Sequence, residues 1–213
     1  MSVVDRQYGW SVAAAGFARM WRGSVPFLTV SVVNAIIQAS LVGLPLFWLA
    51  WGLSAAVLLI TFALMAHIAD RSVYRRSRVG DLRGARLTVF AVWVAGWTIV
   101  INVGLAFYFW PGLLLLALTP FIPVAAAAGV GNPLGANFAA IRSRPVRYLL
   151  TLALSLLVIL AVWLAVALNA FFIRGWIASF SSWLIIGLVA ACLLTSWAAL
   201  YRSTPPGVLQ DDA

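Results

Sequence analysis

The sequence predicts an all-α integral membrane protein whose six transmembrane helices form three hairpins, with amphipathic helices lying on the cytoplasmic surface. Two observations lead to this prediction. Apolar residues make up 64% of the 213 residues and charged residues only 9%, whereas a soluble domain is roughly half apolar and about a quarter charged. The apolar residues also gather in runs that are long enough to cross a bilayer, for which a helix needs about 20 residues. A soluble domain of this length could not bury so much apolar surface.

Two uncharged runs of 44 residues predict four of the six spans. The run from 25 to 68 contains Gly43-Leu44-Pro45 near its middle, and the run from 87 to 130 contains Trp110-Pro111-Gly112. Because glycine and proline interrupt helices, each run is predicted to fold into a hairpin. The first span could instead be a re-entrant hairpin, since it carries several polar side chains. The six predicted spans cover residues 25–44, 46–68, 87–109, 112–130, 148–172 and 181–201.

Two segments next to the spans have helical periodicity but are too polar to cross a bilayer. They cover residues 7–24 and 134–142, and amphipathic helices of this kind lie in the headgroup region. Residues 17–28 align with 138–149 without a gap, which suggests an internal repeat, although chance similarity between apolar segments would give the same match. The predicted regions are an interfacial segment at 1–24, a six-helix domain at 25–201 and a disordered tail at 202–213.

The arginines predict how the chain is oriented in the membrane. All fourteen basic residues are arginine, and thirteen of them lie in the N-terminal segment, the connectors at 69–86 and 131–147, and the C-terminal tail. Arg174 alone lies on the opposite side. Because short basic segments stay in the cytoplasm, both termini are predicted to be cytoplasmic, in a protein of the inner membrane. Topology and lipid headgroups explain the net charge of +9, so no nucleic-acid partner is expected.

The densest cluster of charge lies in the connector between the second and third spans. It could bind anionic lipid headgroups or the acidic surface of a partner protein, and the need to set the topology would also explain it. Its members are Arg71, Arg75, Arg76, Arg78, Arg83 and Arg86.

A stripe of polar side chains lies on one face of the first span. Asn34 and Gln38 are four residues apart, and Ser31 falls on the same face. The stripe could contact a lipid headgroup or a solute. It could also hydrogen-bond to a neighbouring helix, which is the commoner use of such residues in membranes.

Pro120 and Pro123 interrupt the fourth span. Each proline lacks an N–H and leaves a carbonyl one turn earlier without its helical donor. Transporters build ion and substrate sites at such breaks, whereas a simple kink needs only neighbours that satisfy the carbonyl groups. Small residues permit close helix approach at 125–129, at Gly187 with Ala191, and at Ala161 with Ala165.

The sequence predicts no enzymatic activity, no cofactor and no metal. His67 and Asp70 lie three residues apart and could form a proton relay or a ligand pair, or could simply sit at the wet interface with Asp70 near Arg71. General acid–base catalysis needs titratable groups held next to a substrate, and the known phosphate-binding, zinc and nucleophile motifs do not occur. Cys192 is a single thiol within an apolar run and is expected to be a small lipid-facing or packing residue.

Several of these features resemble the six-helix membrane domain found beside bacterial glycerophosphodiester phosphodiesterases. The matching parts are Trp110-Pro111-Gly112-Leu113-Leu114, then Pro120 and Pro123, then the segment from Gly135 to Arg147 with its Phe-Ala-Ala-Ile-Arg turn. The chain lacks the catalytic domain of those enzymes. The resemblance therefore implies an architecture and no activity.

The sequence therefore predicts a non-catalytic accessory subunit of a larger membrane complex, with membrane lipids and other integral membrane subunits as partners. Because lysine and glutamate are absent, we expect a bacterium with a GC-rich genome, and we take envelope lipid transport as the setting. One alternative is a small transporter or lipid-binding protein, alone or as a homo-oligomer, that uses Asn34, Gln38 and the broken fourth span. Another is an intramembrane enzyme that uses His67 and Asp70.

Overall fold

The computed structural model describes Trp21 and residues 24–73, 85–107 and 109–204, and these residues form eight α-helices with no strand among them. Five of the helices, α1, α2, α3, α7 and α8, are long and apolar enough to cross a membrane. This confirms the predicted all-α membrane fold. The helices are α1 (Ser24–Leu41), α2 (Phe47–Val73), α3 (Ala85–Phe107), α4 (Phe109–Leu118), α5 (Ile122–Ala127), α6 (Pro133–Ser143), α7 (Pro145–Phe172) and α8 (Gly175–Arg202).

Several helix boundaries differ from the prediction. The first span is one continuous helix of 18 residues, and not the re-entrant hairpin that its polar side chains left open. Helix α8 begins at Gly175 rather than at 181, because Ile173 and Arg174 suffice to turn the chain. Gly175 makes this short turn with a φ of 71°, which glycine adopts without steric cost. Of the predicted interfacial segment, only Trp21 and Ser24 lie within the described residues.

The fourth span is two helices and not one kinked helix. Helix α4 ends at Leu118 and α5 begins at Ile122, because Pro120 and Pro123 cannot supply the N–H groups that would continue the hydrogen bonding. The sequence also predicted a break at 110–112, but these residues lie in the first turn of α4. Proline is tolerated in a first turn because its N–H would have no helical acceptor there.

Helices α4 and α5 together run antiparallel to α3 in spite of the break. Contacts occur at three successive levels, and at each level the residue numbers on α3 fall as those on α4 and α5 rise. The interrupted segment therefore follows α3 over most of its length. The three levels are Gly104 against Gly112, Trp97 against Thr119, and Phe90 with Val94 against Ala126.

Helix α8 is the centre of the fold and packs against α1, α2, α5 and α7. Its approach to α1 is close, since a Cβ atom at Gly187 would lie 3.0 Å from the side chain of Ser31. Near the C-terminal end of α8, a core cluster includes Trp197, Phe27 and Tyr148. Phe27 and Tyr148 are matched positions of the candidate internal repeat, and both lie in the first turn of a long helix.

Replacing Gly187 with leucine should force α1 away from α8 and lower the free energy of unfolding by about 1–3 kcal/mol, the usual cost of overpacking a core. The matched control is Gly96→Leu, because no atom lies within 4 Å of an added Cβ at Gly96. Titration of the micelle-embedded protein with a denaturing detergent measures the free energy of unfolding of both variants. Equal stability of the two variants would contradict the close packing of α1 against α8.

Candidate functional site

The polar stripe of α1 faces the interior of the protein, where all three of its side chains are at least 97% buried. Asn34 accepts a hydrogen bond from the Thr61 hydroxyl at 3.2 Å. Gln38 accepts one from the Ser54 hydroxyl at 2.7 Å and donates to the Ser54 carbonyl at 3.2 Å. These bonds join α1 to α2 at two levels, and Ser31 packs on Gly187 of α8. The geometry is that of polar contacts between packed helices.

The break between α4 and α5 is filled by a buried asparagine of α6. The side chain of Asn137 is fully buried, its Oδ1 accepts from the Phe121 N–H at 3.1 Å, and its Nδ2 donates to the Leu118 carbonyl at 2.9 Å. One amide thus replaces a helical donor on one side of the break and a helical acceptor on the other.

Two further side chains bind carbonyl groups at the same break. The Trp97 indole N–H, from α3, donates to the Thr119 carbonyl and to the Thr119 hydroxyl, at 2.9 Å each. The Tyr148 hydroxyl, from α7, donates to the Ala117 carbonyl. Carbonyl groups that a transporter would offer to a cation here accept hydrogen bonds from neutral donors of the protein itself.

Sequence reasoning identified the prolines of this break but missed the residues that complete it. Trp97, Asn137 and Tyr148 come from three different helices, up to 51 positions apart in the chain. A signal was present for Asn137, because a carboxamide stands among small apolar residues in the helix that follows a doubly interrupted span. Nothing in the sequence pattern distinguishes Trp97 or Tyr148 from the other rings of the chain.

Most of the predicted arginine cluster falls outside the described residues. Arg75, Arg76, Arg78 and Arg83 lie in the undescribed connector, and the side chain of Arg86 is likewise not described. Arg71 is half-buried at the C-terminal end of α2.

Asp70 pairs with Arg202, whereas the sequence had only placed it near Arg71 at the wet interface. The Arg202 Nε and Nη2 atoms donate to Asp70 Oδ1 at 2.9 and 2.6 Å, which ties the C-terminal end of α2 to that of α8. The aspartate side chain is 3% exposed and that of the arginine 26%. His67 packs against the ring of Phe90, with 6.4 Å between the centroids.

His67 and Asp70, the candidate relay or ligand pair, each contact a different neighbouring side chain. Within the part of the chain that the structure describes, no group of three histidine, cysteine or acidic side chains could hold a metal ion. The carboxylate of Asp70 is engaged by a guanidinium, and His67 lies against an aromatic ring. The contacts are those of helix packing.

A cleft of about 330 Å³ opens between α4 and α7. Its lining includes Phe62 of α2, Trp97 of α3, Trp163 of α7 and Trp197 of α8. Ser155 is the one hydroxyl in this lining, and it donates to the Thr151 carbonyl at 2.7 Å. The cleft wall is therefore apolar.

Replacing Asn137 with leucine should leave the Leu118 carbonyl and the Phe121 N–H without partners, and each unsatisfied buried group costs about 1–3 kcal/mol. We expect a loss of stability of that size in denaturing-detergent titrations. Asn102→Leu is the control, because Asn102 is exposed and its side chain donates only to the Thr98 carbonyl of its own helix at 2.8 Å. A stability unchanged by Asn137→Leu would show that the break does not depend on this amide.

Removing Arg202 should destabilise the protein more than removing Asp70, because the aspartate left behind is the more deeply buried charge. The variants are Arg202→Leu, Asp70→Leu and the double variant. The double variant should lose about 0.5–3 kcal/mol less than the sum of the single losses, since partners in an ion pair are not additive. Additive losses in the same unfolding assay would contradict a functional ion pair.

No family model, no curated protein and no solved structure shows significant similarity to this chain. The resemblance to the membrane domain found beside glycerophosphodiester phosphodiesterases stays a prediction. The chain is a multi-pass helical membrane protein by its composition and its five candidate spans.

Proposed function

We propose that the protein is a non-catalytic accessory subunit of a larger complex in a bacterial cytoplasmic membrane, and that it binds another membrane subunit through α7. Envelope lipid transport is the setting that we propose. The supporting observation is an exposed pair of small residues on α7, Ala161 and Ala165, one helical turn apart.

Small residues allow helices to approach closely in lipid, where packing and not the hydrophobic effect drives their association. Several such pairs occur on the long helices, and two of them differ clearly in their surroundings. Gly187 and Ala191 are buried, and Gly187 lies directly against α1. Ala161 and Ala165 are exposed, and α7 is both the most apolar and the least buried of the five candidate spans. The pair on α8 is covered by α1, whereas the pair on α7 is uncovered, and this contrast supports the binding of a partner helix to α7.

The proposal includes six membrane crossings with both termini in the cytoplasm. The antiparallel course of α4 and α5 along α3 supports an additional crossing by these two helices, which together form the interrupted fourth span. The Asp70–Arg202 pair and the hydrogen bond from Arg144 to Ser203, at 3.3 Å, gather basic residues at one end of the bundle. Arg174 lies in the turn between α7 and α8, at the other end. The positive-inside rule assigns the end that is richer in arginine to the cytoplasm.

The polar groups of the spans support a structural role over solute transport. A transport path needs polar side chains that a solute can reach. Asn34, Gln38 and Asn137 instead bond to groups of the same chain, and Asn169 of α7 donates to the hydroxyls of Ser181 and Ser182 in α8 at 2.8 and 2.9 Å. Their hydrogen-bonding capacity is used to hold the helices together.

Purification from native membranes in a mild detergent should recover a second integral membrane protein in a fixed ratio, identified by mass spectrometry. The double variant Ala161→Leu with Ala165→Leu should reduce its recovery by about tenfold or more, the factor that about 1.4 kcal/mol of lost packing produces. The control is Ala167→Leu, which is also exposed and lies about 200° around the helix from Ala165.

Two outcomes would contradict the proposal. The first is a protein that purifies alone at native expression, or only with copies of itself. The second is a partner that the double variant retains as well as the control does.

A further inference from the structure

We propose that the cleft between α4 and α7 is a lipid site, which holds one acyl chain of an anionic phospholipid whose headgroup lies beside Arg174. This inference is independent of the subunit role. It concerns the opposite side of α7 from the Ala161 and Ala165 pair, because Ala161 lies about 180° around the helix from Leu152 in the cleft wall.

The size of the cleft suits a single chain better than a whole helix. On α7 the lining extends from Leu152 to Val166, which is about 21 Å at about 1.5 Å per residue. A helix about 10 Å across would need roughly five times the cleft volume over that length. The observed 330 Å³ lies within the range of small-molecule sites.

The lining also favours a flexible chain over a partner helix. Helix interfaces in membranes use small residues, but the cleft is walled mainly by large side chains, among them Trp97, Trp163, Trp197 and Ile159. A flexible hydrocarbon chain can adapt its shape to the apolar space between these rings and branched aliphatic side chains. The hydroxyl of Ser155 is turned to its own helix backbone, so the wall offers no polar side chain to a headgroup.

One end of the cleft is closed by the core of the protein. There the Tyr148 hydroxyl of α7 bonds to the Ala117 carbonyl of α4. Phe121 packs edge-on against Trp197 with 5.2 Å between the ring centroids, and Tyr148 lies 5.9 Å from the same indole. In the other direction the lining on α7 continues to Val166, towards the turn between α7 and α8, and the proposed chain enters from that side.

A positive charge lies beyond that end of the cleft, since Arg174 follows Val166 by eight residues. Arg174 is exposed in the turn between α7 and α8, and these two helices supply most of the cleft wall. The 28 residues of α7 measure about 42 Å, against about 30 Å for the hydrocarbon core. In a centred helix, the turn lies at the depth of the phosphate groups. Anionic headgroups are attracted to arginines at this depth, while the cleft extends past the bilayer midplane near Ile159.

Photocrosslinking tests the site in the intact chain. The protein is reconstituted into vesicles of phosphatidylcholine and phosphatidylglycerol that contain a trace of phosphatidylglycerol with a photoactivatable diazirine at the end of one chain. Mass spectrometry should place the adducts on cleft residues of α7 and α8 that a chain can reach from Arg174, such as Trp163 and Val189. Adducts spread evenly over lipid-exposed residues such as Leu157 would overturn the proposal.

Variants that fill the cleft give the matched comparison. Val162→Phe on α7 and Val189→Phe on α8 both place a ring in the lining and should each reduce the cleft adducts about tenfold, the effect of about 1.4 kcal/mol. Ala161→Phe, at the same depth on the far side of α7, should not. Two filling variants on different helices separate loss of binding from a failure to fold, and unchanged cleft adducts in both would overturn the site.

A separate arm tests the headgroup. Arg174→Gln should abolish the preference for the phosphatidylglycerol probe over a phosphatidylcholine probe with the same diazirine chain, while cleft labelling itself persists. A wild-type protein that labels equally with both probes, or a preference that Arg174→Gln leaves intact, would overturn the assignment of the anionic headgroup.

Discussion

The interruption at Pro120 and Pro123 imposes the condition on which the rest of the bundle depends. A bilayer offers no water to bond a backbone group that has lost its helical partner, so the protein must supply a substitute. It does so with Asn137, Trp97 and Tyr148, which come from α6, α3 and α7. Three helices are held in place because each must deliver a donor to the same few residues of backbone.

The cleft follows from this arrangement. Tyr148 lies in the first turn of α7 and anchors that end of the helix to α4. Beyond the anchor, α7 packs along α8 while α4 packs along α3. The two partner helices lead α4 and α7 apart, and an apolar cleft is left between them. A break that could have formed an ion site is closed, and the space beside it is suited to hydrocarbon.

The use of polar residues separates the functional hypotheses. Asn34 and Gln38 were candidate contacts for a solute or a headgroup, but they bond to Thr61 and Ser54 of α2. Amides between packed helices contribute modestly, at about 0.6–2 kcal/mol each, and they also fix which faces meet. Helix α7 keeps apolar surface open on two sides. A partner helix is proposed to bind at Ala161 and Ala165, and a lipid chain in the cleft on the opposite side.

The sequence by itself determined the membrane class and the approximate positions of the long apolar helices, because composition and run length are properties of the chain alone. It also located the proline break. Only the tertiary structure decided that Asp70 pairs with Arg202, 132 positions away, that Asn137 completes the break, and that α7 keeps one small-residue face open. Hydrophobic periodicity predicts which face of its helix an apolar or polar residue occupies. Which helix that face meets is decided by packing between segments far apart in sequence. Because the spans are built from the same few apolar residue types, many different helix pairings fit the hydrophobic pattern equally well.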